Sequence, residues 1–202
     1  MKKILAATNN VGKLKEIKEI LKDFEILSLK DINCEIEVEE DGKTFEENSI
    51  KKAKEIFEIT KIPCISDDSG ICINKLDGWP GVYTARFLGE YATQEERNNA
   101  MINKLNSIKA EDRSAKVECV ISYVDEKGVI TTTGEIEGKI TEKPRGENGF
   151  GFDSIFELDN GKTLAELTDK EKNVVSSRKI ALNKLRKMMS IIFENVLKNF
   201  IY

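Results

Sequence analysis

Apolar and polar positions change period repeatedly along this chain, and each change predicts an element. Ile4-Leu5-Ala6-Ala7 is a short unbroken apolar run and predicts a first strand. A polar segment follows, and then Leu14, Ile17, Leu21 and Phe24 recur at helical spacing. Residues 26–38 read as a second extended segment, with Ile36 and Val38 alternating against glutamates. Thr44-Phe45-Glu46-Glu47 has the form of a capping box and opens a helix through about Ile59. After Pro63, a short strand from Cys64 to Ser66 runs into a polar turn at Asp67-Asp68-Ser69-Gly70.

Gly78-Trp79-Pro80-Gly81 predicts a loop, and Thr93-Gln94-Glu95-Glu96 caps a helix reaching about Leu105. Val117–Val124 and Val129–Ile136 predict two strands joined at Asp125-Glu126-Lys127-Gly128, a hairpin-type turn. Ser154-Ile155-Phe156 reads as a short strand after a glycine-rich loop. From about Asn173 to Leu197 the period is helical again, with Ile180, Leu182, Leu185, Met188, Met189, Ile192 and Val196 on the apolar side. Strands and helices that alternate early, with a hairpin in the middle, predict an α/β protein with a mixed sheet and two lobes around a cleft.

Composition narrows the chemistry. The 202 residues suffice for one large domain or two small lobes sharing a core. With 40% hydrophobic and 34% charged residues the chain reads as soluble and globular. A net charge of −4 argues against a broad nucleic-acid surface. Cys34, Cys64, Cys72 and Cys119 form no C-x-x-C pair and read as reduced, mostly buried thiols of a cytoplasmic protein. The apolar run after Met1-Lys2-Lys3 is too short for a signal-peptide core, and no run approaches membrane-spanning length. The chain contains no histidine. Ser-His triads, imidazole bases and His-Cys zinc sites are thereby excluded, which leaves carboxylates, lysine, arginine, hydroxyls and oxygen-held metals.

Five segments carry candidate chemistry. Thr8-Asn9-Asn10-Val11-Gly12-Lys13 joins a strand to a helix, where backbone N–H groups and a lysine suit phosphate. It is not a Walker A loop, and taken alone it reads as an ordinary capped turn. Seven residues between Glu35 and Glu47 are acidic. A solvated acidic edge explains them by default, whereas Glu40 turned inward would hold a hard cation such as magnesium. The adjacent Asp67 and Asp68 point to opposite sides of an extended chain, so one could bind metal or activate water while the other holds the loop. The alternative is a polar turn in which Gly70 supplies an unusual dihedral.

Gly146, Gly149 and Gly151 let the backbone approach a ligand. Phe150 and Phe152 between them could form a nucleobase platform, with Asp153 as an acceptor, or could simply be core residues. Lys172, Ser176, Ser177 and Arg178 sit at the start of the long helix, where Arg178 offers a planar fork of donors. Together the segments describe phosphate binders, an acidic metal site, an aromatic platform and a polar clamp.

In that order the motifs resemble the Ham1-type family of noncanonical purine nucleoside triphosphate pyrophosphatases, also called inosine/xanthosine triphosphatases. The resemblance runs almost end to end, through ATNNVGK, TFEENSIKKA, SDDSGICINKLDGWPGVYTARFLGE, GENGFGFDSIF and TLAELTDKEKNVVSSRKIAL. It implies an elongated mixed α/β fold over residues 1–202 as a single domain, two lobes, a homodimer and a Mg²⁺ cofactor. It also implies hydrolysis of ITP, dITP and XTP to monophosphate and pyrophosphate, with no nucleic-acid or membrane partner.

Carried over by position, Thr8 to Lys13 with Lys52 would hold the triphosphate. Glu40 and Asp68 would bind Mg²⁺, and Asp68 would take the proton of the attacking water. Ser69 would touch substrate, Phe150, Gly151, Phe152 and Asp153 would line the base pocket, and Lys172, Ser177 and Arg178 would close over the base.

Two positions depart from the family pattern. The family's Ser-His-Arg reads Ser176-Ser177-Arg178, and Phe152 replaces the usual tyrosine or tryptophan. A serine hydroxyl can donate or accept, so base discrimination should weaken. Two rival readings remain: a Maf-like pyrophosphatase for other nucleotides, and a nucleotide-binding sensor with little turnover. A haloacid-dehalogenase-type phosphatase is disfavoured because the D-x-D-x-T spacing is absent.

Overall fold

The computed structural model describes residues 2–106 and 112–199, with side chains described through residue 191. Among them are six strands and five α-helices. In chain order these are β1 (Lys3–Ala6), α1 (Val11–Ile20), β2 (Glu25–Ser28), α2 (Phe45–Thr60), β3 (Cys64–Ile73), α3 (Gln94–Lys104), β4 (Ser114–Asp125), β5 (Gly128–Ile140), β6 (Phe156–Glu157), α4 (Asp169–Val175) and α5 (Ser177–Asn199). The sheet order is β2-β1-β3-β4-β5-β6. β1 runs parallel to both β2 and β3, and β5 is antiparallel to β6, so the sheet is mixed as expected. The two-residue link Glu126-Lys127 can join the neighbouring strands β4 and β5 only in antiparallel sense.

Two compact units divide the chain. The first holds residues 1–68, 120–134 and 178–202, and the second holds 69–119 and 135–177. In the first unit, Leu5, Ala7, Leu29, Ile56 and Cys64 form a buried cluster. Burial of this kind contributes about 1.5–3 kcal/mol per large aliphatic side chain. Helix α2 is entered through the expected box: Thr44 Oγ1 accepts from Glu47 N at 3.1 Å, and Glu47 Oε2 accepts from Thr44 N at 3.2 Å. The second unit is built on Ile71, Ile73, Met101, Leu105, Ile155 and Phe156, among others. Its buried Arg113 ties three chain segments by donating to the carbonyls of Leu105, Ile140 and Thr141 at 2.7–2.9 Å.

The structure corrects several sequence expectations. The extended segment at 26–38 shrinks to the four residues of β2. Ile36 and Val38 do alternate with exposed glutamates and pack against the first cluster, but they pair with no strand. The alternation reports one-sided packing without a ladder. The supposed turn at Asp67–Gly70 is the middle of the ten-residue β3. The strand continues because Gly70 keeps a negative φ and both flanks are buried apolar residues.

The helix expected from Asn173 is two helices, broken at Ser176, whose extended backbone (φ −68°, ψ 147°) ends α4. Lys172 therefore belongs to α4 while Ser177 and Arg178 open α5. Met188, expected on the apolar face, is exposed, and the side chains of Ile192 and Val196 lie outside the described residues. The strand expected at Ser154–Phe156 is the two-residue β6.

Candidate active site

In the first unit, β1 stops at Ala6, which pairs with Ile65. Asp67 and Asp68 on β3 thus lie just past the end of β1, a position where open α/β sheets place ligands. The chain leaving β1 turns tightly into α1. Thr8 Oγ1 accepts from Asn10 N at 3.1 Å, and Asn10 Oδ1 accepts from Lys13 N at 3.1 Å, which caps the helix. Asn9, Asn10 and Val11 are exposed, Gly12 is half-buried, and the first turn of α1 carries no acidic residue. An anion meets backbone dipoles there without opposing charge.

The two aspartates have opposite environments. Asp67 Oδ2 accepts from Arg178 Nε at 3.2 Å and Nη2 at 2.9 Å, and pairs with Lys13 Nζ at 3.1 Å. Burial would push its carboxyl up, but Lys13, Arg178 and Lys52 together hold it well below the ordinary range. Arg178 is itself buried and spans to the buried Glu16 of α1 through Nη1. Asp67 is thereby a firmly ionised anchor for cationic side chains.

Asp68 is 5% exposed, and Asn48 Nδ2 donates to its Oδ2 at 2.9 Å. Burial, reinforced by Glu40, raises its carboxyl to about 6 against the pull of Lys52, the Asn48 hydrogen bond and Lys13. Lys52 Nζ donates to Glu40 Oε1 at 2.5 Å and to the Asp67 carbonyl at 2.6 Å. Burial works against its charge, yet Asp67, Glu40 and Asp68 outweigh that and raise it. Asn48, Ser49 and Lys52 all reach β3 from one face of α2: Ser49 Oγ lies 3.1 Å from Ser66 Oγ.

Among the described residues, no group of three or more His, Cys, Asp or Glu side chains is gathered as a metal cage. Magnesium asks for less: one or two carboxylates, with substrate phosphates completing the shell. Glu40 and Asp68, each within electrostatic reach of the other, are the two carboxylates that would hold it. An ammonium already lies among hard oxygen donors here, so the donor set suits a hard cation.

In the second unit, Asp153 Oδ2 accepts from Phe150 N and from Lys172 Nζ, each at 2.7 Å. Lys172 Nζ also lies 4.2 Å from the centroid of the Phe150 ring. The loop therefore closes on one carboxylate, with a cation over an aromatic face. Asn98 of α3 donates to the Gly151 carbonyl at 3.1 Å and holds the loop from behind. Phe152 packs on the apolar cluster of this unit, whereas Phe150 does not belong to it. Ser177 is buried, and Ser69, the residue after Asp68, is half-buried.

Gly149 has φ +77°, and a Cβ there would meet Asp153 Oδ2 at 2.2 Å. Gly149→Ala is expected to expel Asp153 from this loop and to cost about 1–3 kcal/mol of stability, read by thermal melts.

The structure thus gathers Lys13, Glu40, Lys52, Asp67, Asp68 and Arg178 in one unit, and Phe150, Asp153 and Lys172 in the other. Sequence reasoning missed Glu16, Asn48 and Asn98. Glu16 sits beside Ile17 and Ile20 on the buried stripe of α1, and Asn48 sits on that of α2 with Phe45 and Ala53. A polar residue inside an apolar stripe was the available signal.

Comparison with known proteins shows the family. The Ham1 family profile matches residues 4–188. A dITP/XTP pyrophosphatase of Clostridium perfringens is 45% identical over 196 residues, covering 92% of this chain and 96% of that relative. The dITP/XTP pyrophosphatase of Bacillus subtilis is 43% identical over 193 residues, covering 94% and 98%. Among solved structures, a HAM1 protein from Coxiella burnetii matches with a TM-score of 0.85 at 37% identity, covering 94% of this chain and 99% of that one. On these matches, which run nearly the whole length of both partners, the chain belongs to the Ham1 family.

Proposed function

We propose that this chain hydrolyses noncanonical purine nucleoside triphosphates, dITP, XTP and ITP, to the monophosphate and pyrophosphate, with Mg²⁺ as cofactor. The observation that carries this is the setting of Asp68: a buried carboxylate that accepts from Asn48, in a cluster of two lysines and a second carboxylate just past the end of β1. A carboxylate so placed can take a proton from a water held beside it. The dITP/XTP pyrophosphatases to which the chain is similar supply the substrate class.

The step balances simply. The oxygen of water bonds to the α-phosphorus, the bridging bond to the β-phosphate breaks, and pyrophosphate leaves with the electron pair. Asp68 takes the proton of the water. Thr8, Asn9, Asn10, Val11, Gly12 and Lys13 supply a cap, backbone dipoles and a cation for the phosphates, and Lys52 adds a second cation. Asp67 keeps Lys13 and Arg178 in place. Glu40 and Asp68 would hold Mg²⁺, which when bound neutralises phosphate charge as a Lewis acid. In the second unit, Phe150, Gly151, Phe152 and Asp153 form the platform for the base, with Lys172 over the Phe150 ring and Ser69 and Ser177 as further polar contacts. Homodimerisation and a cytoplasmic location belong to this reading through the family resemblance; no described helix is long and apolar enough to cross a membrane.

Phosphorus NMR of the products tests the reaction: pyrophosphate and monophosphate should appear together and disappear with a chelator. Orthophosphate and the nucleoside diphosphate would instead show cleavage at the γ-phosphate. Base choice depends on Ser177. Ser177→His is expected to raise the ITP-over-ATP ratio of kcat/KM by about tenfold, one good hydrogen bond's worth. An unchanged ratio would remove Ser177 from the base contacts.

A further inference from the structure

Asn48 lies on α2, is wholly buried, and uses both ends of its amide. Its Nδ2 donates to Asp68 Oδ2 at 2.9 Å, and its Oδ1 accepts from Gly42 N at 2.8 Å. The direction is fixed by the partners: a backbone N–H can only donate, so the amide oxygen must face Gly42 and the NH₂ must face the carboxylate. Gly42 lies two residues after Glu40, in a stretch without regular secondary structure. The Glu40 carboxylate reaches α2 through Lys52, one turn beyond Asn48. The approach is close: a Cβ on Gly42 would meet Asn48 Oδ1 at 2.6 Å.

We propose that Asn48 is a positioning residue whose single buried amide holds the Asp68 carboxylate and the Glu40-bearing loop in one register. The inference rests on the assignment of Asp68 and Glu40 made above. Asn48 lies in the first turn of α2 on its buried side with Phe45 and Ala53, where an amide fills no hydrophobic volume. Its placement is explained by what it holds. Through it, the torsion of the carboxylate and the distance between the two acidic groups are set before any cation or substrate arrives.

The test reads metal binding directly, with Mn²⁺ as probe and its free-ion EPR signal as readout, alongside kcat and KM for dITP. Asn48→Leu keeps the size and buries well. Gly42→Ala perturbs the same amide from the loop side and leaves the core of α2 intact. Both are expected to weaken Mn²⁺ binding and lower kcat by about 10–100-fold, with a much smaller change in KM. Ser49→Ala, which removes the neighbouring bond to Ser66, should leave Mn²⁺ affinity unchanged. If Gly42→Ala and folded Asn48→Leu bind Mn²⁺ as tightly as the wild type and keep its kcat, Asn48 positions nothing and the inference is overturned. Because Mn²⁺ binding is read without substrate, a wild type inactive on dITP would refute the proposed activity while leaving this comparison intact.

Discussion

Asp68→Asn is expected to abolish turnover and, in the absence of metal, to stabilise the protein. Removing a general base of this kind costs about 10²–10⁴-fold in kcat. The stability effect follows from the raised carboxyl. Its value is about 6 in the folded protein against 3.8 in the open chain. Between those values the folded state binds more protons than the unfolded one, so stability falls as pH rises through the interval. Above it, ionised Asp68 costs on the order of 2–3 kcal/mol, and asparagine removes that cost while still accepting from Asn48. Thermal melts in chelator should therefore show Asp68→Asn more stable than wild type at pH 7.5, with the gap closing below about pH 4. A variant less stable than wild type at pH 7.5 would mean that Asp68 is held ionised by its surroundings.

Arg178→Ala is expected to have the largest effect on stability. The guanidinium is buried and bridges two buried carboxylates, Asp67 and Glu16, from different elements. Truncation leaves both without their shared cation, a loss of about 3–5 kcal/mol, which lowers Tm by roughly 6–20 °C in a chain of this size. Lysine should rescue only part, because a single ammonium cannot reproduce the fork that serves Asp67 through Nε and Nη2 and Glu16 through Nη1.

The pH dependence gives a second signature. Asp67 is held below its open-chain value, so its contribution is fully present above about pH 4 and is lost as pH falls toward the depressed value. Arg178→Ala should flatten the acid limb of the stability curve, and Asp67→Asn in that background should recover part of the loss. Equal Tm values for wild type and Arg178→Ala at pH 7 would show the bridge to be without net effect.

Much of this was legible in the sequence because the signals were local. Helices α2 and α3 open on capping boxes whose residues satisfy each other within four positions, and Thr44 and Thr93 mark the starts correctly. The hairpin at Asp125–Gly128 is equally self-contained. Failures came where the deciding partner is distant in sequence. Adjacent aspartates look like a turn until Lys13 and Arg178 reach Asp67, 54 and 111 positions away, and until Asn48 reaches Asp68. Those partners neutralise charges that a strand otherwise could not bury. The break at Ser176 was hidden for a related reason: the apolar period continues through it, and only the backbone turns. The resemblance brought Lys13 and Lys52 forward as candidate phosphate contacts, but their pairing with Asp67 and Glu40 was not legible.

Pyrophosphate release in Mg²⁺ from dITP, XTP, ITP, GTP and ATP, by wild type and Asp68→Asn, decides whether this chain is the proposed enzyme. Rapid release is expected from dITP, XTP and ITP, weaker release from ATP and GTP, and a loss of at least about a hundredfold in the variant. Release from none of the five, with nucleotide still bound, would contradict that expectation and indicate a sensor. Full activity in Asp68→Asn would contradict it as well, by removing the water's base from Asp68.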